Sequence, residues 1–232
     1  TDWSFLLENN IGYTKSLWDW CAAEQKPFYY ASSAATYGDG SKGFSDRTPP
    51  EDLEPLNLYG KSKNDFDAWA LKEITEGRPR PPAWAGMKFF NVYGPREAHK
   101  KRMASMIWQL YHQVLNTGVA KLFDGTDGYG PGDQRRDFVY VGDVAAINLH
   151  FASAPATKGV FNVGTGVSRS FNDIARIVID LLGKGEIQYI PFPESLRGKY
   201  QSFTESDITR LREAGGYRAP MTSLEEGIRQ LA

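Results

Sequence analysis

Hydrophobic and polar positions follow two rhythms along this chain. Between residues 9 and 24, Leu17, Trp18 and Cys21 recur at helical spacing, which predicts an amphipathic helix with Asn9-Asn10 as a candidate cap. The next apolar stretch, Pro27 to Ala31, is continuous and ends in Ser32-Ser33. That is the pattern of a strand buried on both faces in a parallel sheet, here Phe28–Ser33. A second helix is predicted over 62–76, burying Phe66, Trp69, Ala70 and Ile74, and it ends in the proline-rich loop 77–82. Strand patterns recur at 86–93, 121–125, 159–164 and 187–192, and a short one at 135–141 leads into a helix capped at Gly142 or Asp143 and reaching Phe151. Helices are predicted at 106–116, 206–213 and 223–231, and another runs to Leu182 from a cap at Ser170-Phe171-Asn172-Asp173. Strands alternating with helices argue for an α/β fold with a parallel sheet, and no internal repeat interrupts the alternation.

Composition narrows the classes. With 232 residues, 41% hydrophobic and 24% charged, the chain can build one large domain or two small ones. A formal net charge of −1 supplies no field that would favour nucleic acid or an anionic membrane. The lone Cys21 excludes an internal disulfide, fits a reducing compartment, and is read as a packing residue. No signal peptide and no apolar run of membrane-spanning length is visible. His99, His112 and His150 lack metal-site spacing.

Candidate chemistry centres on Leu58-Tyr59-Gly60-Lys61-Ser62-Lys63. Tyr59 and Lys63 share a face if this stretch is helical. A free phenol, with a pKa of about 10, is a poor base at neutral pH, but an ammonium beside it favours the phenolate and makes it a proton shuttle. Ser33 closes a buried strand at its carboxyl end, where open α/β sheets bind ligands, and Asn91 and Tyr93 close strand 86–93 on the same side. A hydroxyl, a phenol and an ammonium around one carbinol carbon are the parts needed for proton transfer coupled to hydride transfer. Gly38-Asp39-Gly40-Ser41-Lys42-Gly43 matches G-x-G-x-x-G but is rejected as a dinucleotide fingerprint. Such a fingerprint must open a helix, and the stretch from Phe44 to Pro50 forbids one directly after Gly43. The basic segment 96–105 reads either as a solvated turn or as an anion contact, and 125–132 as a mobile glycine-rich loop. Arg136 is suited either to a diphosphate or to a salt bridge with a nearby acid.

Ser32-Ser33-Ala34-Ala35-Thr36-Tyr37-Gly38, followed by Tyr59-Gly60-Lys61-Ser62-Lys63, resembles the extended short-chain dehydrogenase/reductase superfamily of nucleotide-sugar epimerases and dehydratases. Within it, Phe90-Asn91-Val92-Tyr93-Gly94-Pro95-Arg96-Glu97, His99-Lys100, Met103-Ala104-Ser105, Arg136-Asp137-Phe138-Val139, Tyr189-Ile190-Pro191-Phe192-Pro193 and Gly198-Lys199-Tyr200-Gln201 are similar to the ADP-glycero-manno-heptose 6-epimerase family. The likeness spans nearly the whole chain. It implies a Rossmann-like doubly wound parallel sheet with a smaller α/β substrate-binding domain. Residues 1–91, 136–165 and about 200–216 would form the cofactor part, and 92–135, 166–199 and 217–232 the substrate part. The family pattern starts earlier than Thr1, so the cofactor part is expected to be incomplete here: either the chain is a fragment or further residues precede it.

The resemblance implies bound NADP, with NAD possible, that takes a hydride from carbon 6 of ADP-heptose and returns it to the other face. It also implies a cytoplasmic homo-oligomer serving lipopolysaccharide core synthesis, with neither nucleic acid nor membrane as a partner. By position, Tyr59 and Lys100 would be the two acid/base groups. Lys63 would lower the Tyr59 pKa, and Ser33 would bind the reacting oxygen. Asn9, Lys63, Val92 and Lys100 match cofactor contacts. Ser33, Asn91, Arg102, Gln109, Phe123, Asp124, Gly125, Thr126, Arg136 and Tyr200 match substrate contacts. This chain departs from the family in Lys101-Arg102, which replaces a small residue and a variable one, in Gln109 for a histidine, and in a longer segment at 78–85. The alternatives are a UDP-sugar 4-epimerase, a dTDP-sugar dehydratase, or a non-catalytic remnant that binds nucleotide-sugars.

Overall fold

The computed structural model describes residues 2–154, 157–198 and 200–231. The chain divides into two compact units, the first made of Thr1–Phe90, Ala146–Val163 and Ser206–Arg218, the second of Asn91–Ala145, Gly164–Glu205 and Ala219–Ala232.

The first unit opens with α1 (Trp3–Leu6), a π-helical stretch Leu7–Gly12, and α2 (Tyr13–Ala23). The Asp2 side chain caps α1 by accepting from Ser4 N, so Asn9-Asn10 is not a cap but lies inside the helix, where the Asn9 amide donates to Phe5 O at 2.9 Å. Strand β1 (Phe28–Ser33) follows, then α3 (Leu58–Thr75), β2 (Trp84–Phe89) and β6 (Lys158–Val163). The three strands form one parallel sheet in the order β1-β2-β6, with Ser33 level with Phe89 and Phe89 level with Val163. Its core gathers around Trp18, which meets Phe28, Phe66, Trp69 and Trp84 edge-on at centroid distances of 5.9, 6.4, 5.9 and 5.4 Å. Edge-to-face packing is the geometry that aromatic quadrupoles favour. Helix α3 starts four residues ahead of the expected 62 because Asn57 caps it, accepting from Gly60 N at 2.8 Å. This places Tyr59 in its first turn. Short α7 (Thr209–Glu213) completes the unit.

In the second unit β3 (Asn91–Tyr93) pairs in parallel with β5 (Arg135–Tyr140), which pairs antiparallel with β7 (Ser168–Ser170). Strand β4 (Val119–Phe123) pairs in parallel with β8 (Glu186–Ile190). Helix α4 (Met106–Thr117) presents Ile107, Leu110, Tyr111 and Val114, at helical spacing, to a core shared with Phe171, Ile174, Ala175 and Val178 of α6 (Phe171–Leu182) and Leu224 and Ile228 of α8 (Leu224–Arg229). Ser170 and Asp173 form the expected capping box.

The expected strand 86–93 is two strands. Phe90 N donates to Val163 O at 3.0 Å, and beyond it the pairing partner changes from β6 to β5. For the same reason 136–145, expected with the cofactor part, fall in the second unit, since β5 pairs with β3 and β7. Helix α5 (Val141–Ser153) begins ahead of the expected cap, and the boundary between the units falls inside it. Lys199, read with Arg197 as one of two cations in a loop, lies outside the described residues.

Candidate active site

In the first unit the sequence-predicted groups converge at the start of α3. Lys63 Nζ lies 5.9 Å from the centroid of the Tyr59 ring and donates to Ala31 O on β1 at 3.0 Å. Burial pushes the pKa of the Lys63 ammonium below its ordinary value, opposed by the carboxylate of Asp67 one turn further along. Tyr59 is 44% exposed, so its phenol is open to a ligand. Gly60 explains how α3 approaches the end of β1: a Cβ there would lie 2.5 Å from Ala35 O, two residues past Ser33. Ser33 Oγ accepts from Ala35 N at 3.1 Å and keeps its own proton available to a substrate oxygen. Asn10, rather than Asn9, reaches this helix, donating to Ser62 Oγ at 2.9 Å, while Ser62 Oγ donates to Tyr59 O at 2.8 Å.

In the second unit the basic segment folds around Glu97, a buried carboxylate that sequence reasoning passed over. It accepts from Gly94 N at 3.1 Å, from Ser105 N and Ser105 Oγ at 2.7 Å each, and from Lys100 Nζ at 3.4 Å. Burial works to raise its pKa, but the Ser105 and Gly94 hydrogen bonds and the charge of Lys100 outweigh it and hold the carboxyl below its usual range. Lys100 is thus singled out from its neighbours, with its side chain 43% exposed and docked on Glu97. Lys101 instead takes φ 52°, ψ −125°. That conformation is disfavoured for any side chain with a Cβ and marks strain in the segment. Arg102 is exposed, and its carbonyl accepts from Gln109 Nε2 at 3.3 Å. Gln109 also donates to Ala104 O at 2.7 Å, so its amide braces the basic segment. Lys101→Gly is therefore expected to raise stability by about 1 kcal/mol without loss of turnover. Thermal melts and rates check this together, and a large loss of rate would move the acid/base role to Lys101.

Of the remaining candidates, Phe123 and Tyr200 line a cavity of about 220 Å³ in the same unit, together with Met106, Lys121, Leu122, Gln134, Phe171 and Leu196. Arg136, 6% exposed, lies with its Cζ 4.7 Å from the Tyr200 ring centroid and 5.9 Å from that of Phe171, two walls of this cavity. Burial pulls the guanidinium pKa down, and the Tyr200 phenol opposes it. Among the described residues no carboxylate pairs with Arg136, which disfavours the salt-bridge reading. A desolvated cation without a counterion is costly and suits an anionic ligand. Asp124 O accepts from Gln134 Nε2 at 3.0 Å, Gly125 backs onto Tyr129 O, and Thr126 O accepts from Tyr129 N at 3.0 Å. Asn91 is exposed and Val92 half-buried, paired on β3 with Phe138 and Val139. Only Phe123 and Tyr200 of the cavity lining were foreseen, because the others, four apolar residues with Lys121 and Gln134, are scattered along the chain.

Residues 3–164 match the model of the NAD dependent epimerase/dehydratase family. The chain belongs to that family. Over 99% of its length it is 47% identical to an ADP-L-glycero-D-manno-heptose-6-epimerase of Fusobacterium nucleatum, covering 71% of that protein. It is 44% identical to one from Alkalilimnicola ehrlichii, again over 99% of its length and 70% of the relative. The crystal structure of the Helicobacter pylori ADP-L-glycero-D-manno-heptose-6-epimerase superposes with a TM-score of 0.82 at 29% identity, over 99% of this chain and 66% of the other. The chain thus spans about 70% of its curated relatives. The family implies a nicotinamide dinucleotide. Tyr59 and Lys63 at the carboxyl edge of a parallel sheet fit its nicotinamide-ribose end. The Gly38–Gly43 run does not fit its pyrophosphate: a Cβ on Gly40 would meet the Phe44 ring at 2.5 Å, and turns rather than a helix follow Gly43.

Proposed function

We propose that this chain is the catalytic part of an ADP-glycero-manno-heptose 6-epimerase that inverts carbon 6 by transient oxidation and re-reduction with NADP. The observation that carries the reading is a pair of acid/base sets in one chain: Tyr59 with Lys63 on α3, and Lys100 docked on buried Glu97. Net oxidation needs one such group. Inversion needs two, since a fixed group serves only one face of the carbonyl.

The dinucleotide, when bound, supplies the hydride acceptor and donor. Lys63, fixed on Ala31 O, holds its Nζ 5.9 Å from the centroid of the Tyr59 ring and so orients the phenol at the strand end. Tyr59 takes the proton of the carbon-6 hydroxyl while Ser33 hydrogen-bonds its oxygen. After the carbonyl has turned over, Lys100 gives a proton to the new alkoxide, and the reverse reaction exchanges the two roles. Arg136 pairs with the diphosphate, and the apolar cavity beside it takes the base. Two further features belong to the same proposal: a homo-oligomeric assembly, and a cytoplasmic setting supported by the single buried Cys21. Among the described residues no helix is long and apolar enough to cross a membrane.

The full-length protein should interconvert the two 6-epimers of ADP-heptose with no net change in cofactor absorbance, which NMR of the sugar and spectrophotometry check together. Turnover of a UDP- or dTDP-hexose with none of ADP-heptose would replace this reading by the 4-epimerase or dehydratase.

A further inference from the structure

A buried polar cluster in the first unit takes no part in the proton transfers described above. Lys88 stands among apolar residues in β2 and is 3% exposed. Its Nζ lies 3.1 Å from Oδ2 of Asp67 on α3, which is fully buried. Asp67 also accepts from the Tyr30 hydroxyl at 2.9 Å and from Ser32 Oγ at 2.7 Å. Lys88 Nζ donates to Thr36 Oγ1 at 2.7 Å, and the Thr36 hydroxyl donates in turn to Ser33 O at 2.9 Å.

Removing two charges from water costs about as much as their pairing returns, and apolar residues of similar volume often stabilise a fold equally well. Stability alone therefore does not account for this pair. What it does fix is position. Three successive residues at the end of β1 are fastened by the cluster and its neighbour: Ala31 O by Lys63, Ser32 Oγ by Asp67, and Ser33 O by Lys88 through Thr36. Asp67 follows Lys63 by one helical turn, so the helix that carries Tyr59 and Lys63 is tied to the strand end that carries Ser33. A shift of α3 along β1 would break the first two links and separate Asp67 from Lys88, which holds the third.

We propose that Asp67 and Lys88 are positioning residues, a buried ion pair that fixes Lys63 and Ser33 relative to Tyr59. Their effect on turnover rests on the epimerase reading, whereas their effect on Lys63 does not. Two variants of the full-length protein test this: Asp67→Asn, and the double variant Asp67→Asn with Lys88→Met, which leaves no buried charge unpaired and should fold even where the single variant fails. Reductive dimethylation followed by mass spectrometry reads the accessibility of Lys63 against exposed Lys72. Lys63 labelling should rise about tenfold, the ratio expected for losing a hydrogen bond made by a charged group, while Lys72 stays unchanged. With ADP-heptose, kcat should fall about 10²-fold with little change in KM, as for a misplacement of about 1 Å. Lys88→Arg, which keeps the charge, should stay close to the parent in both readouts. Unchanged Lys63 labelling in a folded double variant overturns the proposal, as does a double variant with normal kcat. Should the parent enzyme not turn over ADP-heptose, the substrate reading fails, and the labelling still decides the role of the pair.

Discussion

Tyr59→Phe and Lys100→Met should each slow epimerisation by about 10²–10⁴-fold, the usual contribution of a positioned proton-transfer group. Phenylalanine in place of Tyr59 would keep the ring beside Lys63 but lose the ionisable oxygen, so folding and the Lys63 contact to Ala31 O should survive. Methionine in place of Lys100 would fill the aliphatic path of the lysine and leave Glu97 with its three donors from Gly94 and Ser105. Because the cycle needs both groups in turn, the double variant should be no slower than the worse single variant. The 6-ketone of the ADP-heptose, offered with the reduced dinucleotide, sharpens the test: each single variant should reduce it to one 6-epimer only, and to opposite epimers. Near-normal epimerisation by Lys100→Met would return the basic segment to a solvated turn and remove the two-face mechanism.

Legibility in the sequence tracked the range of the interactions concerned. Helix α6 could be read because its signals are local, a capping box from Ser170 to Asp173 and apolar residues at helical spacing. Strand β1 could be read because a strand covered on both faces leaves an unbroken apolar run. The run 86–93 gave one strand where the fold has two, since nothing in a continuous pattern marks the residue at which the hydrogen-bonding neighbour changes. The π-helical stretch and three-residue β7 left no trace, as neither spans enough residues to set a rhythm. Among functional groups, Tyr59 and Lys63 were visible because one helix face carries both. Glu97 was not, because its partners are mostly backbone and hydroxyl groups gathered by an irregular loop. The Asp67–Lys88 pair left only half a signal: a lysine inside an apolar strand is conspicuous, but its partner sits on another element.

Arg136→Met is expected to move binding and stability in opposite directions. In the free protein the guanidinium is desolvated with no carboxylate beside it among the described residues, and its compensation comes from Arg135 O, 3.0 Å from Nη1, and from the Tyr200 ring and hydroxyl. An apolar side chain of similar length would fill the same space without the desolvation cost, although it forgoes a cation–π contact of about 1–2 kcal/mol. Replacing buried charges by apolar residues is often neutral or stabilising by about 1–4 kcal/mol, so the melting temperature without ligand should hold or rise. Affinity should go the other way. Truncating one partner of a buried charge contact costs about 2–5 kcal/mol, so ADP and ADP-sugars should bind at least about 30-fold more weakly, with KM rising in step. Arg136→Lys should fall between the two, since it keeps the charge but loses the planar fork that matches a diphosphate. Calorimetric ADP titration and melts with and without ADP separate these effects. If Arg136→Met lowered the melting temperature sharply while ADP bound as before, the guanidinium would be a structural cation, and the diphosphate would have to be held elsewhere.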